Sequence, residues 1–551
     1  MSNNSGIKDP VQRFIVYSLL VVGSIVFCWP LLWMAFSSVK AGNELFSRKQ
    51  HFLPETPAPA LKSPFVDPHA YPDLEGARQA ELLPALEAAI QPQMAALAPD
   101  LDAKEAAKQM ARGAYLRLTD SLPNSSWSLP AEELKTLALK SVDKPMLDQL
   151  LTQVRRALVI STLTARSYDV QEDILVSADK VTKGWKLEAE DGAKATLVQG
   201  SQGADLNYDF SKGDRVRLTQ RFTTSFPVER LYRLQLSVKA DKSWSRIRVF
   251  VEKNGKRFES VRDLPMADAN WTAMCWQEPG PDELTNKIRT WVLLKKADEG
   301  SQYESNPKAL KLTVEVEKND LGGAWYEKVK RNYQMVLDNI PFWRYVATSL
   351  FLVALNLLGT LLSCSLVAYS FARLNWPGRS MSYGLMLATM MVPAQVTMIP
   401  FFLIIKYLNW YNTLYPLWAC SFFANAFNVF LLHQFFKGIP KDLEDAAKID
   451  GCGPIRSYWY IMLPLVRPSL ATVAVFTFLG IWNDFMGPLI YLSDQRLYPL
   501  SLGLYALQLQ SDGSTAMVMA GSLLMILPVV AIFFFAQRYF IQGITMTGMK
   551  G

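Results

Sequence analysis

Residues 442–464 read DLEDAAKIDGCGPIRSYWYIMLP, a run of charge, small residues and turn formers set between two strongly apolar segments. Pro440 suits the first turn of a helix, and Asp442, Glu444 and Asp445 suit the positive end of its dipole. Gly451 and Gly453 break that helix, Pro454 starts another, and Pro464 closes it. The spacing predicts a helical elbow with small residues, Ala446 and Ala447, on its first arm, where a partner's surface comes close. Bond-making alternatives are thin. The chain has three histidines (His51, His69, His433) and five cysteines (Cys28, Cys275, Cys364, Cys420, Cys452), with no metal-ligand spacing among the cysteines. No G-x-x-x-x-G-K-[ST] run cradles a nucleotide's phosphates. We expect no catalytic residue, no metal and no cofactor bound by this chain, and hence no enzyme.

Polar residues inside apolar segments form a second group. Gln395, Asn425, Asn428, Asn483 and Asp484 fall where a carboxylate or amide is costly unless it faces a cavity or another helix. They are candidates for a translocation path or gate, or for helix–helix hydrogen bonds.

The elements that position these residues are apolar. Phe14–Phe36 is long enough to cross a bilayer and is followed by no signal-peptidase-like site. Five further spans centre on Tyr345–Ala372, Met381–Ile405, Leu414–Phe435, Ser469–Leu492 and Met517–Phe540. Short loops carrying Arg373 and Arg379, and Lys437, Lys441, Lys448, Arg456 and Arg467, alternate with loops holding little beyond Lys406 and Arg496. The positive-inside rule puts the termini and the elbow in the cytoplasm, and residues 40–335 and the 493–515 loop outside. The net charge of +7 fits this better than nucleic-acid binding, since no basic stripe with interleaved aromatics occurs.

The pattern Asp445-Ala446-Ala447, three residues, Gly451, nine residues, Ile461-x-Leu463-Pro464 resembles the EAA loop of bacterial ABC importer membrane subunits, with Asp445 where the family has Glu. NELF (Asn43–Phe46), VPAQVTMIPFF, IWNDFMGPLIYL and the terminal QRYFIQGITMTGMKG are similar to the MalG-type inner-membrane permease subunit of carbohydrate importers. The resemblance covers residues 10–48 and 331–551. It implies a polytopic α-helical membrane protein with the six transmembrane helices of the type I importer fold. It implies an elbow (Asp445, Ala446, Ala447, Asp450, Gly451, Ile461, Leu463, Pro464) that couples to an ATPase, and a tail (Gly548, Lys550) that touches it. The 493–515 loop would touch a periplasmic binding protein. The implied partners are a second, MalF-like permease subunit, two ATP-binding subunits carrying ATP and Mg, a periplasmic solute-binding protein and membrane lipid. The substrate would be a carbohydrate, an oligosaccharide in particular, although related permeases carry glycerol phosphodiesters. A rival reading is a membrane-anchored periplasmic ligand-binding sensor or scaffold, but an anchor needs neither six spans nor an elbow.

The domains expected are 1–39 (N-terminus and first span), 40–170 (mainly helical insert), 171–335 (β insert) and 336–551 (permease core with elbow 440–464). ELLPALEAAIQPQMAALA and PMLDQLLTQVRRALVIST read as helices. Leu234, Leu236 and Val238, then Ile247, Val249 and Val251, then Leu310, Leu312, Val314 and Val316 alternate with period two, and Asn254-Gly255 signals a hairpin. We expect an antiparallel, jelly-roll-like β-sandwich, with Trp244, Trp271 and Trp276 as candidate sugar-stacking residues or as core. Cys275 is the insert's only cysteine, so it holds no internal disulfide.

Overall fold

A computed structural model describes residues 10–45, 52–71, 74, 76, 78–169, 171–190, 192–279, 288–297, 306–510 and 514–545. The chain divides into two compact units. One holds the apolar helices (1–38, 281–289 and 332–551) and the other holds the insert (39–280 and 290–331).

In the membrane unit, four helices are long and apolar enough to cross a bilayer: Pro10–Ser37, Phe342–Arg373, Tyr415–Gly438 and Thr515–Phe535. Two further spans arise only if bent pairs are counted as one each. Arg379–Thr389 and Ala394–Tyr407 meet at 98°, and Pro454–Leu465 and Arg467–Asn483 meet at 78°. The first break falls before Pro393, whose ring disfavours helical geometry at Val392. The expected span Ser469–Leu492 is therefore not one helix. It ends at Asn483 and resumes as Met486–Tyr491. The stretch 493–515 is not a plain loop either. Leu500–Gln510 is a helix whose Leu500, Leu502, Leu504 and Leu507 are buried. Gly503 makes this packing possible, since a Cβ there would lie 2.2 Å from the Tyr345 ring.

In the insert unit, helices Gln79–Ile90, Ala103–Ser121, Ala131–Ser141 and Lys144–Val154 enclose a core of Leu82, Leu86, Met110, Tyr115, Leu134 and Leu150. Asp102 caps the second of these by accepting from the N–H groups of Lys104 and Glu105 at 2.9 and 3.1 Å. The helical part ends at Val154, short of the expected 170, because Leu158–Ser167 is already a central strand.

Apart from the short pair Phe65–Val66 and Arg155–Arg156, the strands form one hydrogen-bonded sheet. Through its main members it runs 204–209, 158–167, 231–239, 271–277, 292–296, 256–260, 246–253, 309–317, 215–223 and 186–189. The expectation of a purely antiparallel domain fails at 271–277 and 292–296, which pair parallel. Inward residues from both halves of the path, among them Leu234, Leu236, Val249 and Val314, share one core. Asn254 and Gly255 join two strands with φ of 47° and 70°, the left-handed pair that a type I′ hairpin requires. Phe250, which the alternation places outward, is buried beneath the Arg257 guanidinium, 4.4 Å from its ring.

The two ends of the insert meet at a dry ion pair. Lys328, on the helix Leu321–Asn339, places Nζ 2.5 Å from Glu44 Oε1, with the side chains 1% and 6% exposed. Lys328 also donates to the Glu55 carbonyl, and Glu44 Oε2 accepts the Glu55 N–H at 3.0 Å. The Trp244 and Trp325 rings lie 5.8 and 5.7 Å from the ammonium. Burial pushes the Lys328 ammonium below the ordinary lysine range, and the Glu44 carboxylate works against that shift. Removing one partner of such a pair strands a buried charge. Lys328→Met is therefore expected to cost the insert about 3–5 kcal/mol, and Lys328→Met with Glu44→Gln to recover much of it. Urea unfolding followed by tryptophan fluorescence checks both; an unshifted midpoint in the single variant would refute the role of the pair.

Candidate coupling elbow and membrane residues

The elbow's first arm is the helix Asp442–Ile449. It ends in a Schellman motif: the Cys452 N–H donates to Ala447 O at 2.9 Å and the Gly451 N–H to Lys448 O at 3.0 Å. Gly451 adopts φ +78°, a left-handed conformation that glycine alone takes without cost. Gly453 precedes the second arm, with Pro454 in its first turn. That arm winds through a π-helical turn, Tyr458–Met462, into Leu463–Leu465.

Each arm has one face turned inward and one left open. Glu444, Ala447, Tyr458 and Met462 are buried, the last two in a core with Cys364, Tyr369, Leu432 and Phe436. Ile449, Ile455 and Tyr460 are 87%, 76% and 77% exposed, a high apolar exposure for residues beside charged Asp445 and Lys448. Of the motif residues, Asp445, Ala446, Asp450 and Gly451 are exposed, while Ile461, Leu463 and Pro464 are half-buried.

The residue that ties the elbow to the membrane helices is Arg373, which sequence reading counted only as a topology charge. Its guanidinium donates to the carbonyls of Phe436 and Ile439 and sits 3.8 Å from Glu444 Oε2. It thus joins the end of Phe342–Arg373, the end of Ala426–Gly438 and the elbow's first arm. Tyr369 Oη donates to Pro454 O at 3.2 Å, and the Ser365 and Tyr458 hydroxyls lie 2.7 Å apart, so the second arm is held to the same helix. The signal available in sequence was spacing: Ser365, Tyr369 and Arg373 recur every four residues on one helix face.

The five polar candidates do not converge. Asn425 caps the helix Ala426–Gly438, accepting from Phe427 and Asn428 N–H groups at 3.0 and 3.3 Å. It therefore marks a break inside the expected fourth span. Asn483 is the last residue of its helix and donates to Leu479 O. Asp484 lies in the break that follows, where its Oδ1 accepts the Gly487 N–H at 3.1 Å. Asn428 is half-buried and Gln395 exposed. No side-chain-to-side-chain bond joins any two of the five among the described residues. The helix–helix amide that sequence reading missed is Asn356, buried and donating to Leu417 O at 2.9 Å.

Two of the three tryptophans proposed for sugar stacking are corrected by burial. Trp276 is 1% exposed within the β core, and Trp244 is 3% exposed against Ala267 and Ala324. Only Trp271 reaches solvent. Gly548 and Lys550 of the tail, and Phe46, lie outside the described residues.

Loss of the Arg373 hydrogen bonds removes charge-assisted contacts worth about 1.5–3 kcal/mol each. Arg373→Met is expected to speed amide exchange in residues 442–449 by about tenfold or more, read by hydrogen–deuterium exchange mass spectrometry. Unchanged exchange there would show that the elbow is held elsewhere.

Residues 363–546 match the family described as binding-protein-dependent transport system inner membrane component. The arabinooligosaccharides transport system permease protein AraQ of Halalkalibacterium halodurans is 35% identical over 210 residues, 38% of this chain and 75% of that protein. The diacetylchitobiose uptake system permease protein NgcG of Streptomyces coelicolor is 32% identical, over 38% of this chain and 70% of its own length. The sn-glycerol-3-phosphate transport system permease protein UgpE of Yersinia enterocolitica is 31% identical, over 38% and 74%.

Proposed function

Because the chain belongs to the inner-membrane components of binding-protein-dependent transport systems, we propose that it is the permease subunit of an ATP-driven importer carrying an oligosaccharide across the inner membrane. The single observation behind the coupling step is the elbow, with its inner face pinned through Arg373, Tyr369 and Ser365 and its outer face of Ile449, Ile455 and Tyr460 bare. A rigid lever with an exposed apolar tip fits a groove on a separate ATP-binding subunit. Asp445, Ala446, Ala447, Asp450, Gly451, Ile461, Leu463 and Pro464 form that lever, and Gly548 and Lys550 extend the contact.

In this reading ATP and Mg reside on two partner ATPase subunits, and a second, related membrane subunit completes the pathway in a type I arrangement. The termini and elbow face the cytoplasm, and the insert faces the periplasm, where a solute-binding protein delivers the substrate. Residues 391–404 remain largely exposed in this chain although apolar, as a helix meant for lipid or a second membrane subunit would be. Relatives named for arabinooligosaccharide and diacetylchitobiose transport favour a sugar oligomer over a glycerol phosphate.

Gly451→Asp places a side chain in a left-handed conformation and a charge on the open face. Copies of the chain purified from native membranes are expected to bring down an ATP-hydrolysing subunit. Gly451→Asp should lose that association while the chain stays folded, since a Cβ at 451 meets nothing within 4 Å and the cost is confined to left-handed backbone strain of about 1–2 kcal/mol. If no ATPase accompanies the wild-type chain, the importer reading fails and the sensor or scaffold reading takes its place.

A further inference from the structure

The two halves of the insert's β path differ in how much of their outer faces is covered by ion pairs. On the half containing 215–223, 246–253 and 309–317, charges pair across strands. Arg217 reaches Glu315 at 2.6 Å, Arg248 reaches Asp263 at 2.6 Å, Lys311 reaches Glu252 at 3.1 Å, and Glu317 lies 3.3 Å from both Arg215 and Arg246. That face is occupied by its own ion pairs.

The other half has ion pairs as well, Arg166 with Glu172 at 2.7 Å and Asp205 with Arg155 at 2.9 Å, but they leave one patch without charge. At one end of the strands 158–167, 231–239 and 271–277, a cavity of about 480 Å³ is lined by Ser161, Thr162, Gln202, Ser237, Trp271, Thr272 and Ala273. The lining contains no charge. Its one large apolar group is Trp271, 43% exposed and in contact with no other aromatic ring among the described residues.

The floor of the cavity is built by a backbone irregularity. Leu236 pairs with Leu163 and Val238 with Ile160, so Ser161 and Thr162 together oppose Ser237. This is a β-bulge, a device that re-aims side chains beside functional sites. Here it turns two hydroxyl-bearing residues toward one spot. Thr162 Oγ1 donates to Ser237 Oγ at 3.1 Å, which leaves the Ser237 hydroxyl proton free to donate onward. The Gln202 and Thr272 side chains have no hydrogen-bond partner among the described residues. Lys239, directly across from Trp271, adds a further donor at the rim.

An exposed indole face beside unspent hydroxyl and amide groups, in an uncharged hollow of ligand size, matches one ligand chemistry. A sugar ring offers an apolar C–H face to the indole and a rim of hydroxyls that both donate and accept. We propose that this cavity is a carbohydrate-binding site, separate from the translocation pathway, with a sugar ring stacked on Trp271. The ring's hydroxyls bond to the Thr162–Ser237 pair, Gln202 and Thr272. The site takes a neutral oligosaccharide. The proposal stands independently of the importer reading, because binding here needs no ATPase.

The test uses the full chain in lipid nanodiscs, since alkyl-maltoside detergents present a sugar of their own. Neutral tetra- to hexasaccharides of the malto-, cello-, xylo-, arabino- and chito- series are titrated by calorimetry. Saturable binding of at least one series is expected. Trp271→Ala should weaken it by about tenfold or more, Trp271→Phe should retain part of it, and the pair Gln202→Ala, Thr272→Val should weaken it severalfold. Trp271 is half out of the fold, so its loss should leave the unfolding midpoint unchanged. Absence of saturable binding by the folded wild-type chain overturns the proposal, as does equal binding by Trp271→Ala. Co-purification of an ATPase is unaffected by either result, so failure of this site and failure of the importer reading are told apart.

Discussion

A domain interrupting a membrane chain has to begin and end in nearly one place, and here that constraint is met by Glu44 and Lys328, 284 residues apart in sequence. Closing so long a loop costs little more than closing a short one, because the entropy grows only with the logarithm of length. What the closure needs is a contact that no other residue can mimic. A buried ammonium shared by a carboxylate, a backbone carbonyl and two indole rings is such a contact. It is specific because each group would be destabilised alone. The neighbouring charges extend the same logic: Lys242 lies within 4 Å of Glu55 and Asp67, and Asp67 pairs with Arg156 at 2.9 Å. The helical and β parts of the insert are thus joined by charge at their common root.

The membrane unit solves a related problem with a single arginine. An elbow of two short helices has too few residues to hold its own geometry, since isolated helices of that length are unstable. Arg373 supplies the missing order by donating to two carbonyls at the end of Ala426–Gly438 and facing Glu444. The arginine that the positive-inside reading counted as a topology charge is also the one that holds the elbow, whose inner face is packed within this chain.

Local signals in the sequence were readable wherever local chemistry decides the outcome. Gly451, Pro454 and Asn254-Gly255 act through their own backbones, and each stands where its spacing put it. The alternation of Leu234, Leu236 and Val238 was equally plain, because burial of one sheet face imposes it. Longer-range outcomes were not readable. Leu158–Ser167 follows a helix with no glycine or proline between them, so its switch to strand was hidden. Trp276 and Trp271 lie five positions apart on one strand, which puts them on opposite faces, but which of the two turns inward is decided by the sheet's packing. Asp484 and Asn425 read as polar groups inside spans, and the structure uses both to end or begin helices. The family resemblance pointed to the elbow, but within the insert it reached only the two ends, Asn43–Phe46 among them, and the folding between them depends on contacts far apart in sequence.

The left-handed glycine at the elbow has one more implication. The direction in which the second arm leaves the first is fixed by the handedness of a single backbone residue, with empty space where a side chain would be. Shape and surface are thereby uncoupled. A substitution on the elbow's open side would alter its surface while leaving the angle between the arms the same. A transporter built this way has a joint whose geometry is inherited separately from its grip.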